Sequence, residues 1–437
     1  MEAAPQRWLD RVPIPALALA YVLLFQWTYI HDIHPNWAYL GLEHHEPPLW
    51  LRFTLTVLAV APAVVMPRRL ARPSQLGLWF IYLLVYVPSQ LVPMESVGGS
   101  PMRWLEFGFV LLACMGALVW SYAVPLEPRK RASTRAQPEF WFGLAVVAAA
   151  LYAIVISSFG LPTSLPSLSE IYDVRAEFRD LARDGGRLSA YAVPWVANVI
   201  NPLLIAWGAT RRRTTVLGLG VAGQLLIFGI TGLKSVLLSA VLIVLVIVIL
   251  RDGGRRFGAW VLLGALGVLV LGMLESQLGD GRLLSGVLVR RTFVVPGQLT
   301  GLYVDYYAVH DKAWLSHSVL GGIVPHASGL APPKVVGGQY FVDVNANANV
   351  WADGYANFGE LGMVLATGLL AVVLRLYDHA AVGLSPRLAT ALFAVPAVTL
   401  TNSALLTSLL THGVLLVMAV VALVPRVDNR GGMRRPP

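Results

Sequence analysis

Two adjacent arginines, Arg290 and Arg291, stand in the largely apolar stretch VRRTFVVPGQLTG. A guanidinium pair at membrane depth is costly unless it meets an anion, and guanidinium groups bind phosphate through two parallel hydrogen bonds. The pair therefore indicates a phosphate or pyrophosphate site. The same pattern is also typical of interfacial anchors whose charged ends reach lipid headgroups.

A second set of arginines follows helical spacing in SEIYDVRAEFRDLARDGG, residues 169–186. Apolar residues recur there at steps of three and four, which predicts an amphipathic helix. On its polar face Arg175, Arg179 and Arg183 recur at steps of four, which suits phosphate or acidic sugar oxygens. Acidic residues are interleaved with them, so on charge alone a solvated helix with internal ion pairs is favoured.

Groups able to transfer protons follow the first arginine pair. DYYAVHDKAWLSH contains His310, Asp311 and His317, and GGIVPHASG contains His326. Each histidine alone is more typical of a surface or capping residue. Beside arginines, however, such groups are sufficient to take a proton from a hydroxyl while a phosphate leaves.

The stretch NANANVWADGYANFGELG, residues 345–362, is unusually polar just before an apolar run. In an extended segment Asn345, Asn347 and Asn349 would point their amides to one side, where they could bind sugar hydroxyls. A turn-rich loop explains them equally well. Tyr355 and Asn357 continue the two-residue step, and the glycines allow sharp turns or close helix approach.

Metal and nucleotide chemistry have little support in the sequence. EHHEP at 43–47 is the only dense His/Glu patch, and its adjacent side chains point in different directions before two prolines. The single cysteine, Cys114, excludes an intramolecular disulfide and a Cys-x-x-Cys metal site. Because there is no phosphate-binding P-loop, dinucleotide fingerprint or Gly-x-Ser-x-Gly motif, we expect neither a cofactor nor a metal.

The elements that position these residues are predicted from composition. The chain has 437 residues, 56% hydrophobic and 13% charged, with a mean hydropathy of +0.65, which is typical of a polytopic membrane protein. We expect an all-α fold with about twelve membrane helices near 13–31, 49–66, 75–93, 104–123, 140–160, 191–209, 215–231, 236–250, 257–274, 357–376, 387–403 and 406–425.

The distribution of basic residues predicts the orientation. Most of the 33 Lys and Arg fall on the side of the two termini, which places both termini in the cytoplasm. Because these residues form short clusters between apolar runs, they indicate membrane topology and not nucleic-acid binding. The expected parts are helices one to five (1–160), a first enlarged outer loop (161–190), helices six to nine (191–274), a large outer catalytic loop or cap (275–356), and helices ten to twelve with a cytoplasmic tail (357–437).

These features resemble the Wzy-type oligosaccharide repeat-unit polymerases of bacterial envelopes, the O-antigen polymerase family. The resemblance covers the architecture, with about twelve helices and two enlarged outer loops that each carry an Arg-x10-Gly motif. Arg175 with Gly186 and Arg290 with Gly301 fit that spacing, and GYANFGELG is similar to the glycine-rich lead-in of the family. The spacing is loose, since the chain has 40 glycines.

The resemblance implies a glycosyltransferase-C-like enzyme of the bacterial inner membrane with its active site on the outer face. Its substrates would be oligosaccharides linked to undecaprenyl pyrophosphate, and its partners a chain-length regulator and a flippase. Arg290 and Arg291 would bind the phosphates, while Arg175 and Arg179 position the substrate or its lipid. We expect His326 as the base, with Asp343, His317 and Asp311 as substitutes, and a glycan surface formed by Asn345, Asn347, Tyr355 and Asn357.

Two other functions remain open at this stage. An O-antigen ligase also has many spans, one large outer loop and a lipid pyrophosphate donor, so the two-loop arginine pattern is the main distinction. A transporter or flippase of lipid-linked glycans would also have about twelve spans. Against transport, the two halves show no convincing repeat and few ionisable groups lie at mid-membrane depth.

Overall fold

Apolar segments in a bilayer must satisfy their backbone hydrogen bonds internally, which favours helices. The computed structural model describes residues 12–126, 138–162, 164–167, 170–184, 186–279, 283–318, 330–341 and 345–426. Within these ranges the regular structure is helical throughout and contains no strand. The prediction of an all-α polytopic membrane protein is confirmed at this level.

Sixteen helices are labelled here in chain order. They are α1 Ile14–Leu40, α2 Leu49–Val64, α3 Gln75–Ser96, α4 Pro101–Ala123, α5 Pro138–Phe159, α6 Ile171–Asp184, α7 Leu188–Arg211, α8 Thr214–Thr231, α9 Lys234–Asp252, α10 Phe257–Leu278, α11 Val295–Val309, α12 Pro332–Tyr340, α13 Val350–Ala381, α14 Pro386–Thr401, α15 Leu405–Leu410 and α16 Val414–Leu423.

Nine of the helices in the described residues are long and apolar enough to cross a membrane: α1, α3, α4, α5, α7, α8, α9, α10 and α13. The other three expected spans correspond to the shorter apolar helices α2, α14 and α16. All twelve apolar runs therefore form helices, and nine have the length of a full crossing. The division of the chain into five parts stays a prediction.

Helix α3 lies at the centre of the fold and is almost entirely buried. Helix α11 packs along it through two glycines, Gly297 and Gly301. A Cβ at Gly297 would overlap the carbonyl group of Pro88, and one at Gly301 would come within 2.8 Å of the Pro93 Cβ. The absence of side chains at these two positions permits the close approach of the helices.

A polar network joins α5, α7, α8 and α9. The Tyr152 hydroxyl donates to Asn201 Oδ1 at 2.8 Å, and Asn201 Nδ2 donates to Gln224 Oε1 at 3.3 Å. Gln224 Nε2 in turn donates to the Ser239 hydroxyl at 2.7 Å. Because polar groups in an apolar environment need partners, this network specifies how the four helices pair.

Helix α13 contains a sharp fold-back at the Asn-Phe-Gly sequence. Phe358 (φ −142°) and Gly359 (φ +63°) leave the helical conformation and divide α13 into a short first part and a long second part. Gly354 and Gly362, on either side of the bend, bring the two backbones into contact, since a Cβ at Gly354 would lie 2.7 Å from the Gly362 oxygen. The expectation of a sharp turn at these glycines is thus met by a specific geometry.

Replacing Gly362 with Ala is expected to lower the melting temperature of the purified protein, because an added Cβ would overlap the Gly354 oxygen. Such overpacking typically costs about 1–3 kcal/mol. Gly368→Ala is the matched control, since Gly368 lies in the same helix with nothing within 4 Å of an added Cβ. That change should be neutral or stabilising, so equal losses in both variants would contradict the fold-back.

Candidate functional site

Arg290 lies on an irregular helical segment, Leu284–Val294, that has wide π-helical turns and leads into α11. Its start is fixed by the Ser285 amide, which donates to Glu275 Oε2 at 2.9 Å, and by the Ser285 hydroxyl, which donates to Asp32 Oδ2 at 2.8 Å. Gly272 of α10 makes room for Val289. Segments with π-helical turns are frequent at functional sites, and this one holds Arg290 between anchored neighbours.

The guanidinium group of Arg290 is partly buried against an aromatic ring. Its Cζ atom lies 4.5 Å from the centre of the Trp37 ring, at cation–π distance. Arg290 Nε and Trp37 Nε1 are both buried donors that have no hydrogen-bond acceptor among the described residues. The pKa of Arg290 is lowered, first by burial and then by repulsion from Arg291. A negatively charged oxygen would accept hydrogen bonds from these two donors and would reduce the repulsion between Arg290 and Arg291.

Helix α6 places Arg175 near Arg291. The turn between α8 and α9 supports its start: Gly232, at φ +61°, passes so close that an added Cβ would lie 2.8 Å from the Ile171 oxygen. Lys234 lies 5.5 Å from the Tyr172 ring centre. The pKa of Arg175 is lowered by partial burial and, next, by repulsion from Arg291. Four cationic residues, Arg175, Lys234, Arg290 and Arg291, thus form what we call the cationic cluster.

No carboxylate forms an ion pair with these four residues in the described parts of the chain. Arg179, one helical turn from Arg175, is exposed and has Asp180 at 3.9 Å. The internal ion pairing that charge alone favours for α6 therefore does not neutralise Arg175 among the described side chains. The cluster can bind an anion with several charged oxygens, such as a pyrophosphate.

A second group of chemically active side chains lies around α11 and α13. His317 Nε2 is 3.5 Å from Asp353 Oδ1, and both side chains are largely buried. His317 Nδ1 is buried and has no hydrogen-bond partner among the described residues. With Nε2 facing the carboxylate, Nδ1 is the nitrogen that can accept a proton. We call these two residues the His317–Asp353 pair.

The fold-back in α13 positions this pair. The Ala313 amide donates to the Ala356 oxygen at 2.9 Å, and the Leu315 amide donates to Asn357 Oδ1 at 2.7 Å. Asn357 Nδ2 donates to the backbone carbonyl oxygen of Asp353 at 2.8 Å. Both ends of the Asn357 amide are thereby used inside the protein, which gives this residue a structural role. Its contact with substrate stays a prediction.

The three alternating asparagines divide into two kinds. Asn345 and Asn347 are exposed, while Ala346 and Ala348 between and after them are buried, as expected for an extended segment with one polar side. Asn349 is buried: its Oδ1 caps α13 by accepting from the Trp351 and Ala352 amides, and its Nδ2 donates to the Thr300 hydroxyl at 2.7 Å. Only the first two are free to contact a glycan.

The remaining predicted site residues differ in exposure, and two of them lie outside the described part of the chain. Tyr355 is half-buried, with Lys312 4.4 Å from its ring centre. Asp311 is exposed. His326 and Asp343 lie outside the described residues.

Both groups lie at the end of the bundle where α1 and α3 finish and α4 begins. Trp37 is near the end of α1, and Arg103, near the start of α4, donates to Asp305 of α11 at 2.8 Å. Among the described residues, no hydrogen bond, ion pair or ring contact joins the cationic cluster to the His317–Asp353 pair. The structure therefore shows two separate groups at one end of the bundle.

Several residues of this region were not singled out as site residues from sequence. Lys234 belongs to the cationic cluster, and the Trp37 and Tyr172 rings contact its members. A lone lysine at the start of an apolar run is the signal that indicates Lys234. In the connection between α1 and α2, His44 Nδ1 lies 2.6 Å from the Glu95 carboxylate of α3, which also lies 3.1 Å from Arg52 Nη2. These contacts tie EHHEP to the end of α3, and the described residues contain no metal-binding cluster.

Comparison with protein-family models, curated proteins and solved structures gives no match. The functional conclusion therefore depends on the chemistry of the two groups.

Asn349→Ala is expected to destabilise the protein by about 1–3 kcal/mol, because it removes a helix cap and one of the two donors to the buried Thr300 hydroxyl. Asn347→Ala is the matched control, since Asn347 is exposed two residues earlier and its loss should leave the melting temperature unchanged. Thermal denaturation of both purified variants measures the difference. If both variants melt like the wild type, Asn349 does not anchor α13.

Proposed function

We propose that this protein is a metal-independent membrane glycosyltransferase that polymerises oligosaccharide repeat units linked to undecaprenyl pyrophosphate. The observation that supports the proposal most is the cationic cluster, where residues from α6, the start of α9 and Leu284–Val294 converge without a carboxylate partner among the described residues. A membrane protein that leaves several cations uncompensated has a site suited to a polyanion.

The donor side of the reaction uses this cluster. When the bond between the anomeric carbon and the pyrophosphate oxygen breaks, negative charge develops on the leaving pyrophosphate. Fixed guanidinium groups stabilise that charge without reorganisation, as a metal ion does in other phosphate chemistry. Arg290 and Arg291 bind the phosphates in this proposal, and Arg175 and Arg179 position the lipid-linked chain from α6.

The acceptor side needs a base for the attacking hydroxyl. Among the described candidates we favour His317, because Asp353 Oδ1 lies 3.5 Å from its Nε2 and its Nδ1 has no hydrogen-bond partner among the described residues. The acceptor oxygen then bonds to the anomeric carbon as the pyrophosphate leaves. In this proposal the exposed amides of Asn345 and Asn347 contact the sugar. His326 and Asp343 remain alternative bases.

The setting of this reaction in the cell is part of the proposal. The bias of basic residues supports cytoplasmic termini, which places both groups on the outer face of a bacterial inner membrane. A flippase would supply the lipid-linked units there, and a chain-length regulator would act on the product. Transfer to a finished lipid acceptor, as in a ligase, is the competing reaction and is separated by product analysis.

Arg290→Ala is expected to reduce polymer formation at least 100-fold in cells that depend on this protein, with single lipid-linked repeat units accumulating. The loss of one positioned charge that stabilises a transition state typically has an effect of about 10²–10³. Glycan length on gels and the lipid-linked pool measure the outcome. Arg255→Ala is the control, because Arg255 is an exposed arginine in the connection between α9 and α10.

Three results would contradict the assignment. Unchanged polymer length and yield in Arg290→Ala would remove the cluster from the reaction. Long lipid-linked polymer that fails to reach its final acceptor would instead identify a ligase. Transport of a solute in proteoliposomes without a glycan product would replace the enzyme with a transporter.

His317→Gln and Asp353→Asn are each expected to lower the rate of glycosyl transfer by about 10²–10⁴ without preventing donor binding, because they disrupt proton removal and not phosphate contacts. Since the two residues act as one unit, the double variant should lose little more than the worse single variant. Transfer by purified protein with a lipid-linked donor measures this. Multiplicative losses would show that the residues act independently.

A further inference from the structure

A cavity of about 370 Å³ opens at the far end of α4 from the two groups described above. Trp120 and Tyr122, near the end of α4, line it, whereas Arg103 near the start of α4 contacts Asp305. The 17 residue steps from Arg103 to Trp120 correspond to roughly 25 Å of helix at about 1.5 Å per residue. The cavity therefore lies at the opposite membrane surface and is distinct from the candidate glycan site.

Two arginines, Arg72 and Arg375, line this cavity and are incompletely used by the protein. Arg72 Nη2 donates to the Val124 oxygen at 2.7 Å, and its Cζ lies 5.5 Å from the Tyr122 ring centre. Arg375 donates to the Val124 and Pro125 oxygens at 3.3 and 2.7 Å. Since a guanidinium has five N–H donors, both retain donors for a ligand.

The carboxylate in the cavity, Asp378, is already engaged by the protein. Its two oxygens accept from the Ser74 amide at 2.9 Å and from the Ser74 hydroxyl at 2.7 Å, and the same hydroxyl lies 2.7 Å from the Tyr122 hydroxyl. Asp378 forms no ion pair with either arginine among the described contacts. Two cations and one anion leave a single positive charge, which one phosphodiester would neutralise.

Most of the remaining cavity wall is apolar and continues onto the membrane-facing surface. Ala117, Ala371 and Leu374 line it between α4 and α13, and Trp120 is 74% exposed at its edge. An exposed tryptophan at the end of a spanning helix is typical of the headgroup level of a bilayer. The ligand therefore needs both a singly charged phosphate and a hydrocarbon chain.

We propose that this cavity binds one anionic phospholipid, with its phosphodiester between Arg72 and Arg375 and an acyl chain along α4 and α13. The proposal does not depend on the glycosyltransferase assignment. With both termini in the cytoplasm, as the basic residues favour, the lipid belongs to the cytoplasmic leaflet.

The test is native mass spectrometry of the purified full chain with phosphatidylglycerol and with phosphatidylcholine of the same acyl chains. The wild type should bind phosphatidylglycerol at least 10-fold more tightly, and the double variant Arg72→Gln/Arg375→Gln should lose that preference. Arg213→Gln/Arg255→Gln is the matched control, because it removes the same charge from exposed positions and should keep the preference. Equal binding of the two lipids by the wild type overturns the proposal, as does an undiminished preference in the first double variant.

A second measurement locates the lipid without any variant. Phosphatidylglycerol with a photoreactive acyl chain should label the ends of α4 and α13 around Ala117 and Leu374 in wild-type protein. Labelling confined to other helices overturns the assignment. Competition by millimolar glycerol phosphate as strong as that by the intact lipid would show a site for a free phosphate and also overturn it.

Discussion

The close packing of α11 on α3 is the constraint on which the candidate site depends. Gly297 and Gly301 let the two helices approach to backbone contact, and α11 is continuous with the segment that carries Arg290. The same helix carries Asp305 and, through Thr300, holds the cap of α13. One helix placed against the buried centre of the bundle thus sets the positions of both the cationic cluster and the residues around the His317–Asp353 pair. Since prolines 88 and 93 in α3 face these glycines, side chains of any size there would force the helices apart.

Sequence reasoning predicts the helices well because each apolar run must form its backbone hydrogen bonds within itself when it lies in lipid. It does less well with residues 284–309, whose two arginines and proline reduce the hydropathy that indicates a membrane-associated helix. These residues fall in the stretch expected to form an outer cap, yet they pack against the spanning helices α3, α10 and α13. The convergence of Arg175 with Arg290 was a hypothesis based on residue type. The position of α6 depends on the close approach of Gly232 to Ile171, a non-local contact that spacing in one sequence does not indicate.

The polar stretch before α13 shows how local signals compete. Alternation correctly predicts that Asn345 and Asn347 share an exposed side, but the same pattern assigns Asn349 to that side as well. A capping signal, asparagine directly before an apolar helical run, takes precedence there, since the free backbone amides of α13 need an acceptor. The glycines after it form the sharp turn that the sequence predicts. They fold the start of α13 back on itself, which holds Asp353 beside His317 and gives Asn357 internal partners.

The arginines at the two ends of the bundle differ in their hydrogen-bond and charge partners. At the far end, carbonyl oxygens at residues 124 and 125 accept from Arg72 and Arg375, and a buried carboxylate lies nearby. At the other end Arg290 rests on an aromatic ring, and burial and repulsion from Arg291 lower its pKa. Holding like charges together in a partly buried site costs stability unless the site is occupied by an anion. If the proposed transfer takes place here, a bound pyrophosphate would offset this cost, and its departure would restore the repulsion and favour binding of the next pyrophosphate-linked donor.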